Sequence, residues 1–229
     1  MKRNKKTKIV ATLGPATSHI EVLKAMLEEG VNVFRINFSH ADYDDVKARI
    51  KMIRSLNEEY GYNASILADL QGPKLRVGVM KEEVVVNPGD EIIFATGEKF
   101  EGTKERVYMT YKNFPMDAKP GERILLDDGK LIFEVVSTDQ KTEVKAKVIQ
   151  GGPLKSKKGV NLPNTNISQP ALTEKDIEDA IFAISQNVDW MALSFVRHAD
   201  DLKELKDLIK TQTKHKIPLI AKIEKPEGV

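Results

Sequence analysis

Short apolar runs alternate along this chain with amphipathic helical patterns. That alternation stops for a long central stretch and then resumes, and few folds tolerate such a rhythm. Residues 8–13 read as a strand ending at Gly14-Pro15. Thr17 or Ser18 is placed to cap the next helix. Ser18 and Glu21 stand at capping-box spacing, Ile20, Leu23 and Leu27 form the apolar stripe, and Gly30 marks the stop. Residues 33–38 are a second strand, and a helix over 44–59 carries Val46, Ile50 and Ile53 on one face. Residues 65–70 are a third strand.

From 74 to 159 the signals are β throughout. Val84-Val85-Val86 precedes Asn87-Pro88-Gly89, and residues 91–95 follow. Residues 124–126 and 131–136 flank Asp127-Asp128-Gly129, a hairpin turn. Residues 144–149 close the series before Gly151-Gly152-Pro153. Short strands between turns predict a small β-barrel or sandwich. The α/β rhythm then returns. Thr173-Glu174-Lys175-Asp176 starts a helix with the stripe Ile177, Ala180, Ile181 and Ile184. A strand at 190–196, a helix marked by Leu202, Leu205 and Ile209, and a strand at 219–223 complete it. The predicted organisation is an α/β domain over 1–73 and 160–229, with an all-β module inserted at 74–159. No repeat points to a solenoid.

Charge excludes some functions. Against 36 basic residues stand 34 acidic ones, a net of +2, so no strong general field holds this chain to nucleic acid. Cysteine is absent, which removes disulfides, thiolate metal sites and a cysteine nucleophile. The basic start Met1-Lys2-Arg3-Asn4-Lys5-Lys6 lacks the apolar stretch of a signal peptide, because Ile9-Val10-Ala11 gives way at once to Thr12, Gly14 and Pro15. It reads as a solvated terminus. No apolar run approaches the ~18 residues of a membrane span. A soluble, cytoplasmic protein without nucleic-acid or membrane partners is expected.

Parallel strands covered on both faces should be nearly continuous Val, Ile and Leu. Several here are not, and the exceptions sit at their C-terminal ends. Arg35, Asn37 and Ser39 fall two apart and should share one side of the second strand. The third strand ends in Asp69, the fourth carries Ser194 and leads into Arg197, and the fifth carries Lys222 and Glu224. One such residue alone would read as a solvated rim charge or a helix cap. Recurrence at successive strand ends points to a site, since that edge is where α/β folds build them. Cations mixed with hard oxygen ligands suit an anionic substrate and a cation such as Mg²⁺. Neither a Walker A loop nor a G-x-G-x-x-G is present. His19, His198 and His215 read as structural or surface residues, whereas His40 follows the polar face of the second strand. Lys155-Ser156-Lys157-Lys158-Gly159 is either a solvated linker or, from its place at the joint, a neighbour of a polyphosphate.

Six stretches closely resemble the pyruvate kinase family. They are Lys8-Ile9-Val10-Ala11-Thr12-Leu13-Gly14-Pro15-Ala16, Phe34-Arg35-Ile36-Asn37-Phe38-Ser39-His40, Asp69-Leu70-Gln71-Gly72-Pro73-Lys74-Leu75-Arg76, Lys157-Lys158-Gly159-Val160-Asn161-Leu162-Pro163, Ser194-Phe195-Val196-Arg197 and Ala221-Lys222-Ile223-Glu224. The resemblance implies a (β/α)8 TIM barrel, incomplete in this chain, with a mobile β-barrel lid domain after strand three. It implies phosphoryl transfer from phosphoenolpyruvate to ADP, giving pyruvate and ATP, with Mg²⁺ or Mn²⁺. By the same resemblance Lys222 is the catalytic lysine and Arg35 the substrate arginine. Glu224 holds the divalent metal, and Asn37, Ser39, Asp69 and the Leu70 backbone form a monovalent-cation site. Asn37, Phe38, Ser39, His40, Arg76 and Lys158 fall at nucleotide-contacting positions. Lys74 stands where potassium-requiring members have glutamate, which implies that K⁺ is not required.

The family's barrel needs eight strands and this chain supplies five. The expectation is therefore a piece of a longer protein, inactive by itself, from a homo-oligomer that the resemblance makes a tetramer. Two other readings stay open. One is another barrel enzyme acting on phosphoenolpyruvate or a related oxoacid, disfavoured by the inserted module and by Lys157-Lys158-Gly159-Val160-Asn161. The other is a non-catalytic fragment that binds nucleotide or phosphate.

Overall fold

The computed structural model describes residues 6–224 and 228, so the start at Met1-Lys2-Arg3-Asn4-Lys5 lies outside the described residues, as does the side chain of His40. Strand β1 (Val10–Thr12) passes through a 3-10 turn at Pro15–Thr17 into α1 (Ile20–Glu28). The capping box expected at Ser18 does not form. Pro15 sets up the tight turn, Thr17 closes it onto Gly14, and the Ser18 hydroxyl donates to the Pro15 carbonyl at 3.0 Å, leaving His19 as the N-cap. Leu23 and Leu27 are buried under α1. The helix ends where Gly30 donates to the Leu27 carbonyl and Val31 to that of Met26, a turn that needs the φ of +96° glycine allows.

Strand β2 (Val33–Asn37) runs parallel to β1, and α2 (Tyr43–Tyr60) follows, capped by the Asp42 carboxylate on the backbones of Asp44 and Asp45. Val46, Ile50, Ile53 and Leu56 bury one face of α2, and β3 (Ser65–Leu70) lies beside β2.

The central stretch is β4 (Val84–Val86), β5 (Glu91–Ala95), β6 (Arg106–Tyr108), α3 (Phe114–Asp117), β7 (Arg123–Leu126), β8 (Leu131–Thr138), β9 (Glu143–Gln150), β10 (Gly152–Leu154) and β11 (Val160–Asn161). These make a sheet of order β11-β7-β8-β9-β5-β6 and a separate β10-β4 pair. Alternate residues of β8 and β9 are buried, and Phe94 meets the rings of Phe114 and Phe133 edge-on. The short helix α3 interrupts what reads as continuous β signal, because Pro115 favours a helical first turn and Phe114 anchors it in the core.

The α/β rhythm resumes with α4 (Glu174–Ser185), β12 (Trp190–Leu193), α5 (Ala199–Gln212) and β13 (Leu219–Ala221). One parallel sheet of order β1-β2-β3-β12-β13 results, with β12 paired directly to β3 across the intervening unit. The chain thus divides into two compact units, 1–73 with 170–229, and 74–169. The second boundary falls after Gln169 and not after Gly159. Residues 160–169 stay with the all-β unit because β11 pairs with β7, Leu162 and Ile167 enter its core, and the Thr165 hydroxyl donates to Glu122 at 2.6 Å. The predicted stripe of α4 also shifts: Ile181 is exposed, while Asp176 and Asp179 are buried beside Ala180, Ala183 and Ile184.

Candidate active site

Phe34 and Ile36 of β2 are buried toward the helices, so Arg35 and Asn37 project the other way. Ser39 does not continue that row. β2 ends at Asn37, whose side-chain oxygen accepts the Ser39 backbone N–H at 3.0 Å and starts a 3-10 turn at Phe38–His40. Asn37 lies in register opposite Asp69 on β3.

The Asp69 side chain is only 3% exposed and could not stay charged there without partners. It has two. Arg35 Nε donates to Oδ2 at 2.7 Å and Nη2 pairs with the same oxygen, while Nη1 donates to Thr12 Oγ1 at 2.8 Å. From the other side Lys222 Nζ lies 3.2 and 3.3 Å from the two carboxylate oxygens. Nζ also donates to Ser194 Oγ at 2.8 Å and sits 3.4 Å from Glu224 Oε1. The Ser194 hydroxyl donates to the Leu70 carbonyl at 2.7 Å, and the Phe195 N–H donates to Glu224 Oε2 at 3.0 Å. Arg35, Asp69, Ser194, Lys222 and Glu224 therefore form one connected group at the C-terminal ends of the parallel strands. Arg35 and Lys222 remain 28% and 29% exposed around a buried carboxylate that fixes them, an arrangement suited to a polyanion.

Side chains that sequence reasoning passed over brace the loops of this group. Lys175 Nζ donates to the Phe38 carbonyl at 2.9 Å. Asp176 accepts the Gly72 N–H at 2.9 Å on one oxygen and the backbone and hydroxyl of Thr173 on the other. Asp179 accepts the Tyr43 hydroxyl at 2.8 Å, and burial together with this acceptor pushes the Tyr43 phenol up to about 12. The Thr173-x-x-Asp176 spacing was the available signal, but it announces a helix cap as readily as a brace. Arg197 lies just before the N-cap of α5, its backbone N–H donating to Asp201 at 2.8 Å.

Arg76, Lys158 and Lys74 belong to the all-β unit. Arg76 Nη1 donates to the Lys157 carbonyl at 2.9 Å, and Lys158 Nζ pairs with Asp127 at 2.9 Å. The Lys158 bond, with help from Lys130, holds the Asp127 carboxyl below its ordinary range. Lys157 sits at φ +59°, and Arg76 makes an isolated antiparallel bridge to Gly159.

Among the described residues no three His, Asp or Glu side chains gather as a metal cage. Mg²⁺ needs none, since one or two carboxylates plus substrate oxygens suffice, and Glu224 offers one oxygen-donor carboxylate, 36% exposed. The oxygens of Asn37, Asp69 and Leu70 lie on neighbouring strands, each already accepting a hydrogen bond from within the site.

Fold and site together define an α/β protein that gathers two cations around a buried carboxylate at its strand ends. The family model for the pyruvate kinase barrel domain matches residues 4–229. The chain is 46% identical over 226 residues to the pyruvate kinase of Corynebacterium glutamicum, covering 99% of this chain and 47% of that protein. Identity is 43% over 222 residues with that of Mycobacterium tuberculosis, covering 97% and 47%, and 41% over 227 residues with that of Staphylococcus aureus, covering 98% and 38%. The chain belongs to the pyruvate kinase family, a family of phosphotransferases. It spans about half the length, or less, of the curated relatives it matches. No helix among the described residues is long and apolar enough to cross a membrane.

Proposed function

We propose that the protein transfers the phosphoryl group of phosphoenolpyruvate to ADP in the cytoplasm, as part of a complete (β/α)8 barrel in a homo-oligomer. The observation that carries this is the pair of cations, Arg35 and Lys222, held by one buried carboxylate in a pyruvate kinase family member. In the reaction the bond from phosphorus to the enol oxygen breaks, and a terminal oxygen of ADP bonds to phosphorus. The enolate left behind takes a proton at carbon to give pyruvate. Little covalent work falls to the protein, so positioning and charge stabilisation dominate. Arg35 meets the transferring group, and Lys222 stabilises charge there and on the enolate oxygen. Glu224 would hold Mg²⁺ or Mn²⁺, which would supply Lewis-acid neutralisation of the substrate's charge. Asn37 to His40, Arg76 and Lys158 take the nucleotide, and residues 74–169 act as the lid that excludes water.

Asn37, Ser39, Asp69 and the Leu70 carbonyl are proposed to form the monovalent-cation site. Lys74 supplies a fixed ammonium that takes over the charge of K⁺. The full-length protein should run nearly as fast in Na⁺ or tetramethylammonium as in K⁺, and Lys74→Glu should create a potassium requirement. Severalfold K⁺ activation of the unmutated protein would refute that assignment. The activity itself is tested by a lactate dehydrogenase-coupled assay with phosphoenolpyruvate, ADP and Mg²⁺, run beside an ADP titration. Nucleotide binding without Mg²⁺-dependent pyruvate formation by the full-length protein would replace the enzyme with a binding protein.

A further inference from the structure

Ser194 carries no role in the reaction just described, yet it is 4% exposed and touches the reactive lysine. Its hydroxyl has one proton, and of the two acceptors in reach the Leu70 carbonyl at 2.7 Å takes it ahead of Asp69 Oδ1 at 3.5 Å. The oxygen's lone pairs are therefore aimed elsewhere, and Lys222 Nζ donates to them at 2.8 Å. Asp69 holds the same ammonium at 3.2 and 3.3 Å, astride both of its oxygens, which attracts the charge without giving it a direction. A lysine head on a flexible four-carbon stem, with rotatable donors, needs such a second acceptor to stay in one place.

The next residue holds the other charged group of this strand end. Phe195 sits at φ +57°, a region that a bulky aromatic side chain avoids, and its N–H meets Glu224 Oε2 at 3.0 Å. Backbone strain of this kind persists only where the surroundings impose it. Gly72 leaves the turn its room: a Cβ there would lie 2.7 Å from the Ser194 carbonyl oxygen, so only glycine fits beside it. Two consecutive residues thus grip Lys222 by a side-chain oxygen and Glu224 by a backbone N–H.

We propose that the Ser194–Phe195 turn is the element that positions Lys222 and Glu224 for phosphoryl transfer, with Ser194 a positioning residue that aims the Lys222 ammonium. This deepens the reading of the site as a phosphoenolpyruvate phosphotransferase and rests on it. Positioning residues of this kind typically change activity on the order of 10–100-fold when removed. In the full-length protein, Ser194→Ala should lower kcat by about tenfold or more while KM for phosphoenolpyruvate changes less than about twofold. Ser194→Thr, which restores the hydroxyl, should recover most of the lost turnover. A readout independent of turnover is the rate at which acetic anhydride modifies Lys222, followed by mass spectrometry. Release of the amine by Ser194→Ala should raise that rate severalfold and leave the other lysines unchanged. Unchanged Lys222 labelling overturns the proposal whatever turnover does, and so does an Ala variant with wild-type kcat. Should the Ala variant not fold, Ser194→Cys, similar in shape though somewhat larger, weakens both hydrogen bonds and is read the same way. No turnover by the unmutated protein would instead sink the functional reading, and the labelling experiment would still decide the role of Ser194.

Discussion

Lys222 stands 29% exposed with its ammonium among Asp69, Ser194 and Glu224, so it is both held and reachable. Lys222→Met should cost on the order of 10²–10³ in turnover while largely sparing phosphoenolpyruvate binding, since the charge it stabilises develops mainly in the transition state. A variant keeping more than about a tenth of wild-type kcat would remove Lys222 from that role. Asp69→Asn strands both cations. Because Arg35 and Lys222 keep contact with water, the loss should be on the order of 1–3 kcal/mol, less than for a fully buried pair, as read by urea unfolding. Tyr111 offers a pH test in the all-β unit. Burial, reinforced by its bond to Asp117, pushes its phenol from 10.0 up to about 12. The folded state then keeps a proton that the unfolded state gives up, so the stabilisation is complete below pH 10 and lost as pH rises toward about 12. The fall should amount to about 2–3 kcal/mol and be absent in Tyr111→Phe. Equal alkaline sensitivity in both proteins would argue otherwise. The positions of Arg35, Asp69, Lys222 and Glu224 were legible in sequence, since a charge on an apolar strand stands out locally. The bonds among them were not, because those depend on the register of strands far apart in the chain.

At the level of elements, the first turn of α4 is the brace of the site. Lys175 reaches the loop after β2 and Asp176 the loop after β3, from adjacent positions. Asp176→Asn would put an amide donor where the carboxylate accepts the N–H groups of Gly72 and Thr173, and should destabilise the protein by about 1–3 kcal/mol. Gly72→Ala should do comparable harm for a different reason, forcing a side chain at φ +66° against the Ser194 carbonyl. Urea midpoints within experimental error of wild type for both would remove the brace. Helix periodicity located α4 but misjudged its buried face. Asp176 and Asp179 lie inward only because Gly72, Thr173, Tyr43 and Lys175 converge on them, and no local pattern records those partners. The start of α1 shows the same limit, since the hydroxyls that fit a capping box were taken by the preceding turn.

Taken whole, the molecule pairs an α/β unit, in which β1 and β13 each border a single neighbour among the described strands, with an all-β unit whose β8 and β9 are flanked on both sides. In the 229-residue chain by itself, amide exchange should therefore find β8 and β9 better protected than β13. Equal or stronger protection of β13 would contradict this. By itself the sequence determined the alternation of strands and helices, the interruption after the third strand, and the polar residues crowded at strand ends. Each of these is written in short-range periodicity or in a single residue out of place. Only the tertiary structure decided that residues 160–169 stay with the all-β unit, that Ser39 leaves the row of Arg35 and Asn37, and that one buried aspartate ties two cations together. Those outcomes turn on which strands become neighbours and in what register, and a buried charge accepts only the geometry that satisfies it.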